Sequence, residues 1–189
     1  SPEETDLMSP GPGSPGSGLV KPTIGGVIVA AGKSLRMGGI DKTFVPLLGL
    51  PLIAHTVDAF ENCSLVSVLV LVLAEGNLEQ GEALVKERGW CKVIAVCPGG
   101  KRRQDSVKLG LSRLPHCAWV LIHDGARPCV EQELIYRGLE AAKETGAAVA
   151  ALPVKDTVKV VTDQGLVMET PFRKSLWAVQ TPQVFRGDI

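Results

Sequence analysis

From Ile24 onward the chain alternates short apolar runs with stretches whose apolar residues recur every three or four positions. That rhythm is the signature of repeated βα units, so it predicts an α/β fold with a doubly wound, mostly parallel Rossmann-like sheet. Strands are expected at 24–30, 65–73, 92–97, 118–122 and 147–152. Between them, Pro51 can open a helix whose Ile53, Val57 and Phe60 share one face, and Val107, Leu111 and Leu114 repeat the spacing, as do Ile135, Leu139 and Ala142. These residues are expected to be core. The rhythm then breaks: the runs at 158–162 and 166–170 flank Asp163-Gln164-Gly165, which predicts a β-hairpin arm over about 155–173 that protrudes from the sheet. Leu176 to Phe185 should return toward the sheet, with no helix after it.

A chain of 189 residues that is 45% hydrophobic can bury one sizeable core, so one domain is expected over 22–189. Residues 1–21, with SPGPGSPGSG and almost nothing to bury, read as a disordered tail or a cut terminus. Net charge is zero and the basic residues fall in short clusters, which argues against a nucleic acid polymer or a membrane as partner and for a small anion. Cys63, Cys91, Cys97, Cys117 and Cys129 form no CxxC pair, so neither a zinc site nor a disulfide framework is expected. No apolar run approaches the 18 or so residues of a spanning helix, and no signal pattern opens the chain. A cytoplasmic protein is expected.

In open α/β sheets ligands bind beyond the carboxyl ends of the strands, which directs attention to four polar loops. The first, Ala30-Ala31-Gly32 through Lys42, can wrap a triphosphate with backbone N–H groups while Arg36 and Lys42 supply charge. Its glycine spacing matches neither GxxxxGK[ST] nor GxGxxG. The second, Pro98 to Arg103, precedes a helix expected at about Gln104, with Asp105 and Ser106 in its first turn and Gly100 at its mouth. In the third, His123-Asp124-Gly125-Ala126-Arg127-Pro128, Asp124 is placed to hold Mg²⁺, and Arg127 either grips a phosphate or pairs with Asp124. His123 is read as structural. The fourth group, around Thr157 and Arg173 at the two ends of the arm, would meet another site if the arm crosses to a second subunit.

Taken together, AAGKSLRMGG followed by DK, then GGKRRQDSV, HDGARP, DTVK and RKSLWAVQTPQVF, in that order over 24–189, resemble the 2-C-methyl-D-erythritol 4-phosphate cytidylyltransferases of the non-mevalonate isoprenoid pathway. The resemblance implies a nucleotidyltransferase sheet. It also implies transfer of CMP from CTP to the sugar-alcohol phosphate, release of pyrophosphate, a divalent cation such as Mg²⁺, and a homodimer joined through the arm. By the same resemblance Ala30, Ala31, Gly32, Gly100 and Ser106 contact the nucleotide, and Arg36, Lys42 and Arg173 are catalytic. Asp124, Arg127 and Thr157 bind the acceptor, Asp124 also the metal. Asp41-Lys42-Thr43 stands where the family usually has Pro-Lys-Gln, and Lys101 where it has an acidic residue. The family continues past position 189 with a segment that adds an acidic turn and a lysine to the acceptor site, so the chain reads as a fragment. A ribitol 5-phosphate cytidylyltransferase and a non-catalytic nucleotide-binding module are the alternative readings.

Overall fold

The computed structural model describes residues 23–32 and 42–189. Expectations about the tail and about Arg36 fall on residues outside that set. In chain order the elements are β1 (Ile24–Ala30), a 3-10 turn (Lys42–Phe44), β2 (Pro46–Leu47), β3 (Leu50–Pro51), α1 (Leu52–Glu61), β4 (Val68–Leu73), α2 (Leu78–Arg88), β5 (Val93–Pro98), α3 (Arg103–Leu111), β6 (Trp119–Asp124), α4 (Gln132–Thr145), β7 (Ala147–Pro153), β8 (Val160–Val161), β9 (Val167–Glu169) and β10 (Trp177–Arg186). The main sheet runs β5-β4-β1-β6-β10-β7. Its first four strands pair in parallel, and β10 lies antiparallel between β6 and β7.

Alternation along the central strands decides which helix lies on which face. Ile28, Leu69, Leu71 and Leu73 pack with Ile53, Val57 and Phe60 of α1, Leu84 of α2, and Ile135 and Leu139 of α4. Val27, Val70, Val72 and Ile122 form the core on the other face, with Val107 and Leu114 against it. Both faces are therefore covered, which is why these strands are apolar throughout.

Three departures from the sequence pattern have physical causes. β4 begins at Val68 rather than at 65, because the Val66 N–H turns back to the Cys63 carbonyl at 3.1 Å. The face of α3 turned to the sheet carries Ser106 and Gly110, and Leu111, expected in the core, is 40% exposed. A Cβ on Gly110 would stand 2.4 Å from Val27 Cγ1, so this helix docks by close backbone approach beside the packed Val107. The helix α2, absent from the sequence reading, does the same through Gly81, where an added Cβ would meet Leu73 Cδ1 at 2.2 Å.

Outside the sheet, β8 and β9 form the expected hairpin, with Gly165 at φ 81° in its turn. It is shorter than the two apolar runs suggested, pairing Val160 with Glu169 and Val161 with Val167. Among the described residues, no helix is long and apolar enough to cross a membrane.

Candidate active site

Three loops converge where β1, β5 and β6 end, and glycines set how closely. A Cβ on Gly99 would lie 2.1 Å from Ala31 Cβ, and one on Gly125 would lie 2.7 Å from Ala30 Cβ. The Gly99 N–H bonds to the Leu73 carbonyl and that of Gly125 to the Val29 carbonyl, each at 2.8 Å, so both loops leave the sheet still tied to it. Thr43 Oγ1 donates to the Ala30 carbonyl at 3.3 Å, which fastens the 3-10 turn carrying Lys42 to the same strand end. Ala30, Ala31, Gly32 and Lys42 are thus brought to one rim. Arg36 and the rest of 33–41 lie outside the described residues.

The loop after β5 is braced from within. Ser106, buried in the first turn of α3, accepts from the Gly100 N–H at 3.0 Å and donates to the Arg102 carbonyl at 3.3 Å. Two residues assigned to the nucleotide are therefore bonded to each other, and the Gly100 N–H is committed. Asp105 accepts from the Arg102 N–H and guanidinium, which caps the helix and holds its carboxyl below the usual carboxylate range.

Asp124, the last residue of β6, sits between two guanidiniums. Its Oδ1 accepts from Arg103 Nε at 3.1 Å and Nη2 at 2.9 Å, and its Oδ2 accepts from Arg127 Nε at 3.1 Å. The expected Asp124–Arg127 pair is present; the Arg103 contact was not foreseen. Two glutamines of β10 back these arginines: Arg127 Nη1 donates to Gln180 Oε1, and Arg103 Nη1 donates to Gln183 Oε1 at 3.3 Å. They flank Thr181 and Pro182, where β10 shifts register between Val179 and Gln183 and so turns side chains toward the end of β6.

His123 is structural, as read from the sequence. The residue is 1% exposed and its ring lies 4.9 Å from that of Phe60. Nε2 faces the Arg127 carbonyl at 3.0 Å, and a carbonyl can only accept, so Nε2 carries the proton. Nδ1 then accepts from the Thr181 hydroxyl at 2.9 Å, whose oxygen accepts from the Asp124 N–H at 3.3 Å. Burial pushes the imidazole pKa down and keeps it neutral. With Thr56 Oγ1 donating to the Gly125 carbonyl at 2.8 Å, the turn after β6 is pinned at both ends.

Thr157 and Arg173 lie on the arm. Thr157 is exposed, and Arg173 Nη1 donates to the Lys155 carbonyl at 3.1 Å across the arm's base. Among the described residues no hydrogen bond or ion pair joins either to the Asp124 cluster.

Both the sequence and the fold are matched in known proteins. The family model described as IspD: 2-C-methyl-D-erythritol 4-phosphate cytidylyltransferase matches residues 24–189. The chain belongs to this family. It is 55% identical over 166 residues to the 2-C-methyl-D-erythritol 4-phosphate cytidylyltransferase of Dehalococcoides mccartyi strain CBDB1, covering 88% of this chain and 73% of that one. To the enzyme of the same name from Alkaliphilus metalliredigens it is 47% identical, over 86% of this chain and 69% of the other. Among solved structures of the cytidylyltransferase family, 4-diphosphocytidyl-2C-methyl-D-erythritol synthase from Anaerococcus prevotii superposes with a TM-score of 0.76 at 27% identity, over 89% of this chain and 71% of that one.

Proposed function

We infer that the rim formed by the loops after β1, β5 and β6 is where this cytidylyltransferase joins its substrates. The reaction is transfer of CMP from CTP to 2-C-methyl-D-erythritol 4-phosphate, giving 4-diphosphocytidyl-2-C-methyl-D-erythritol and pyrophosphate in isoprenoid precursor synthesis. An oxygen of the acceptor phosphate attacks the α-phosphorus of CTP, and the bond from that phosphorus to the bridging oxygen of the leaving pyrophosphate breaks. The nucleophile is already an anion and needs no strong base. The obstacle is the approach of two polyanions and the charge that builds at phosphorus.

The residues divide along these lines. Ala30, Ala31 and Gly32 offer small side chains and backbone to the triphosphate, and Gly100 and Ser106 shape the adjoining wall for the nucleoside. Lys42, with Arg36 from the same segment, neutralises the phosphates as charge builds. Arg127 and Asp124 receive the acceptor, and Thr157 and Arg173 complete its phosphate pocket when contributed by a second subunit. The observation that carries this reading is the Asp124 carboxylate held between Arg103 and Arg127 beside Ala30 and Gly125.

A divalent cation fits as a companion of the nucleotide. Among the described residues no group of three or more His, Cys, Asp or Glu forms a cage, and Asp124 is the carboxylate at the rim. Mg²⁺ commonly takes one carboxylate and otherwise phosphate oxygens and water. When bound it would offset phosphate charge. Asp124 would be its protein ligand only if an arginine turned aside.

Dimerisation through the arm is part of the same proposal. Leu166, Val167, Met168 and Phe172 are 60–70% exposed on a ribbon too small to be stable alone. The five cysteines are all free, which supports a reducing, cytoplasmic setting. A pyrophosphate-release assay with CTP or GTP against methylerythritol phosphate or ribitol 5-phosphate tests the reaction. Turnover with CTP and methylerythritol phosphate is expected; preference for ribitol 5-phosphate or for GTP overturns it. Light scattering should give the mass of a dimer, and a monomer with full activity removes the shared site.

A further inference from the structure

Arg102 and Arg103 are neighbours in sequence with different tasks. Arg102 is spent on Asp105, three residues along its own helix. Arg103 reaches out of its element: two of its N–H groups meet Oδ1 of Asp124, 21 positions away, and a third meets Gln183, 80 positions away. This one guanidinium joins the first turn of α3, which also carries Ser106, to the end of β6 and the bulge of β10.

Stability does not account for the arrangement. The Arg103 and Asp124 side chains are 46% and 31% exposed, and exposed ion pairs contribute only about 0–1 kcal/mol. Geometry and charge do account for it. Two donors on one oxygen fix the plane of the carboxylate, and leave the other oxygen to Arg127. Gln183 fixes the fork in turn, and α3 is itself seated on the sheet by Gly110. Asp124 alone would repel an incoming phosphate; between two guanidiniums the cluster carries a net positive charge, which favours one.

We propose that Arg103 is a positioning residue for the acceptor phosphate, acting through Asp124 and held in turn by Gln183. This rests on the assignment of Asp124 to the acceptor side. Lysine cannot substitute fully, since a point charge lacks the fork that reaches Asp124 and Gln183 together.

The test compares Arg103→Ala, Arg103→Lys, Asp124→Asn and the Arg103→Ala/Asp124→Asn double variant in steady-state kinetics and thermal unfolding. Arg103→Ala should raise KM for the sugar phosphate roughly 10- to 100-fold, the scale of a small misplacement in a site. Its KM for CTP should change by less than about threefold, and its Tm by no more than a few degrees. Arg103→Lys should recover part of the loss. The double variant should be no worse than Asp124→Asn, because one residue works through the other. Multiplying effects in the double variant, full activity of Arg103→Lys, or a change confined to CTP would each overturn the proposal. A crystal structure of Arg103→Ala gives a readout that needs no turnover: the Asp124 carboxylate should leave its position against Arg127, and an unmoved carboxylate overturns Arg103's role. Failure of the parent protein to turn over CTP would instead count against the assigned reaction.

Discussion

The parallel half of the sheet and the hairpin arm are both rich in valine and leucine, yet they bury opposite fractions of it. Val27, Ile28, Val70 and Val72 are fully enclosed, whereas Met168 and Phe172 are 69% and 70% exposed. The difference teaches where the chain is sufficient to itself. Central strands find covering helices within the same polypeptide. Among the described residues the arm has none, and the dimer proposed above would supply the missing half of its contact.

Four measurements break or sharpen that comparison. The largest effect is expected at Phe60, which is fully buried: Phe60→Ala should lower unfolding free energy by about 3–5 kcal/mol in chemical denaturation. Phe172→Ala should leave monomer unfolding within about 0.5 kcal/mol while weakening the proposed dimer in sedimentation. A loss comparable to that of Phe60→Ala in a monomeric protein would erase the distinction between the two regions.

Next comes Gly99→Ala, whose new Cβ must displace Ala31 from 2.1 Å. Pyrophosphate release should fall on the order of 10²-fold, with a stability loss of about 1–3 kcal/mol. Unchanged turnover would mean that the rim tolerates a looser fit than the buried sheet beneath it.

His123 gives a pH-dependent version of the same contrast. As pH falls through 6.5 the unfolded chain takes up a proton there, while the folded chain, its imidazole pKa pressed down by burial, does so only at lower pH. Stability is therefore lost below that pH, by up to about 1.4 kcal/mol per pH unit for this one group. The difference in denaturation midpoints between wild type and His123→Asn should shrink toward acid pH; a constant difference would show that the ring is not held neutral.

The smallest effect is at Leu48, 91% exposed with φ 50° in the turn between β2 and β3. Asparagine accepts that conformation more readily, so Leu48→Asn should stabilise by roughly 0.5 kcal/mol in thermal unfolding. A destabilised variant would indicate that this apolar tip has a contact to lose, as is proposed for the arm.

The strands were legible because both faces of the sheet are covered and apolar runs result. Helices were legible where bulk does the packing, as at Ile53, Val57 and Phe60 or at Ile135, Leu139 and Ala142. Where glycine shares the packing the pattern was weaker: α2, seated by Gly81 as well as Leu84, went unread, while in the region of α3 Val107 and Leu114 pack on the sheet as expected, Gly110 adds a close approach, and Leu111 alone lies on the outer side. Of the contacts at the candidate site, the Asp124–Arg127 pair was legible because the two residues stand three apart in one short motif. Arg103, Gln180 and Gln183 were not, since their partners are 21, 53 and 80 positions away and no local spacing encodes such a pairing. The two glutamines around Thr181 and Pro182 were the available signal.

The placement of β10 has a consequence for how the protein is made. β7 leaves the ribosome before β10, yet its native neighbour in the sheet is β10 and not β6. A nascent chain can assemble the four parallel strands early, while β7 waits for a partner translated some two dozen residues later. Gln180 and Gln183 arrive on that same late segment, so the arginines gain their braces only as synthesis of this stretch nears its end.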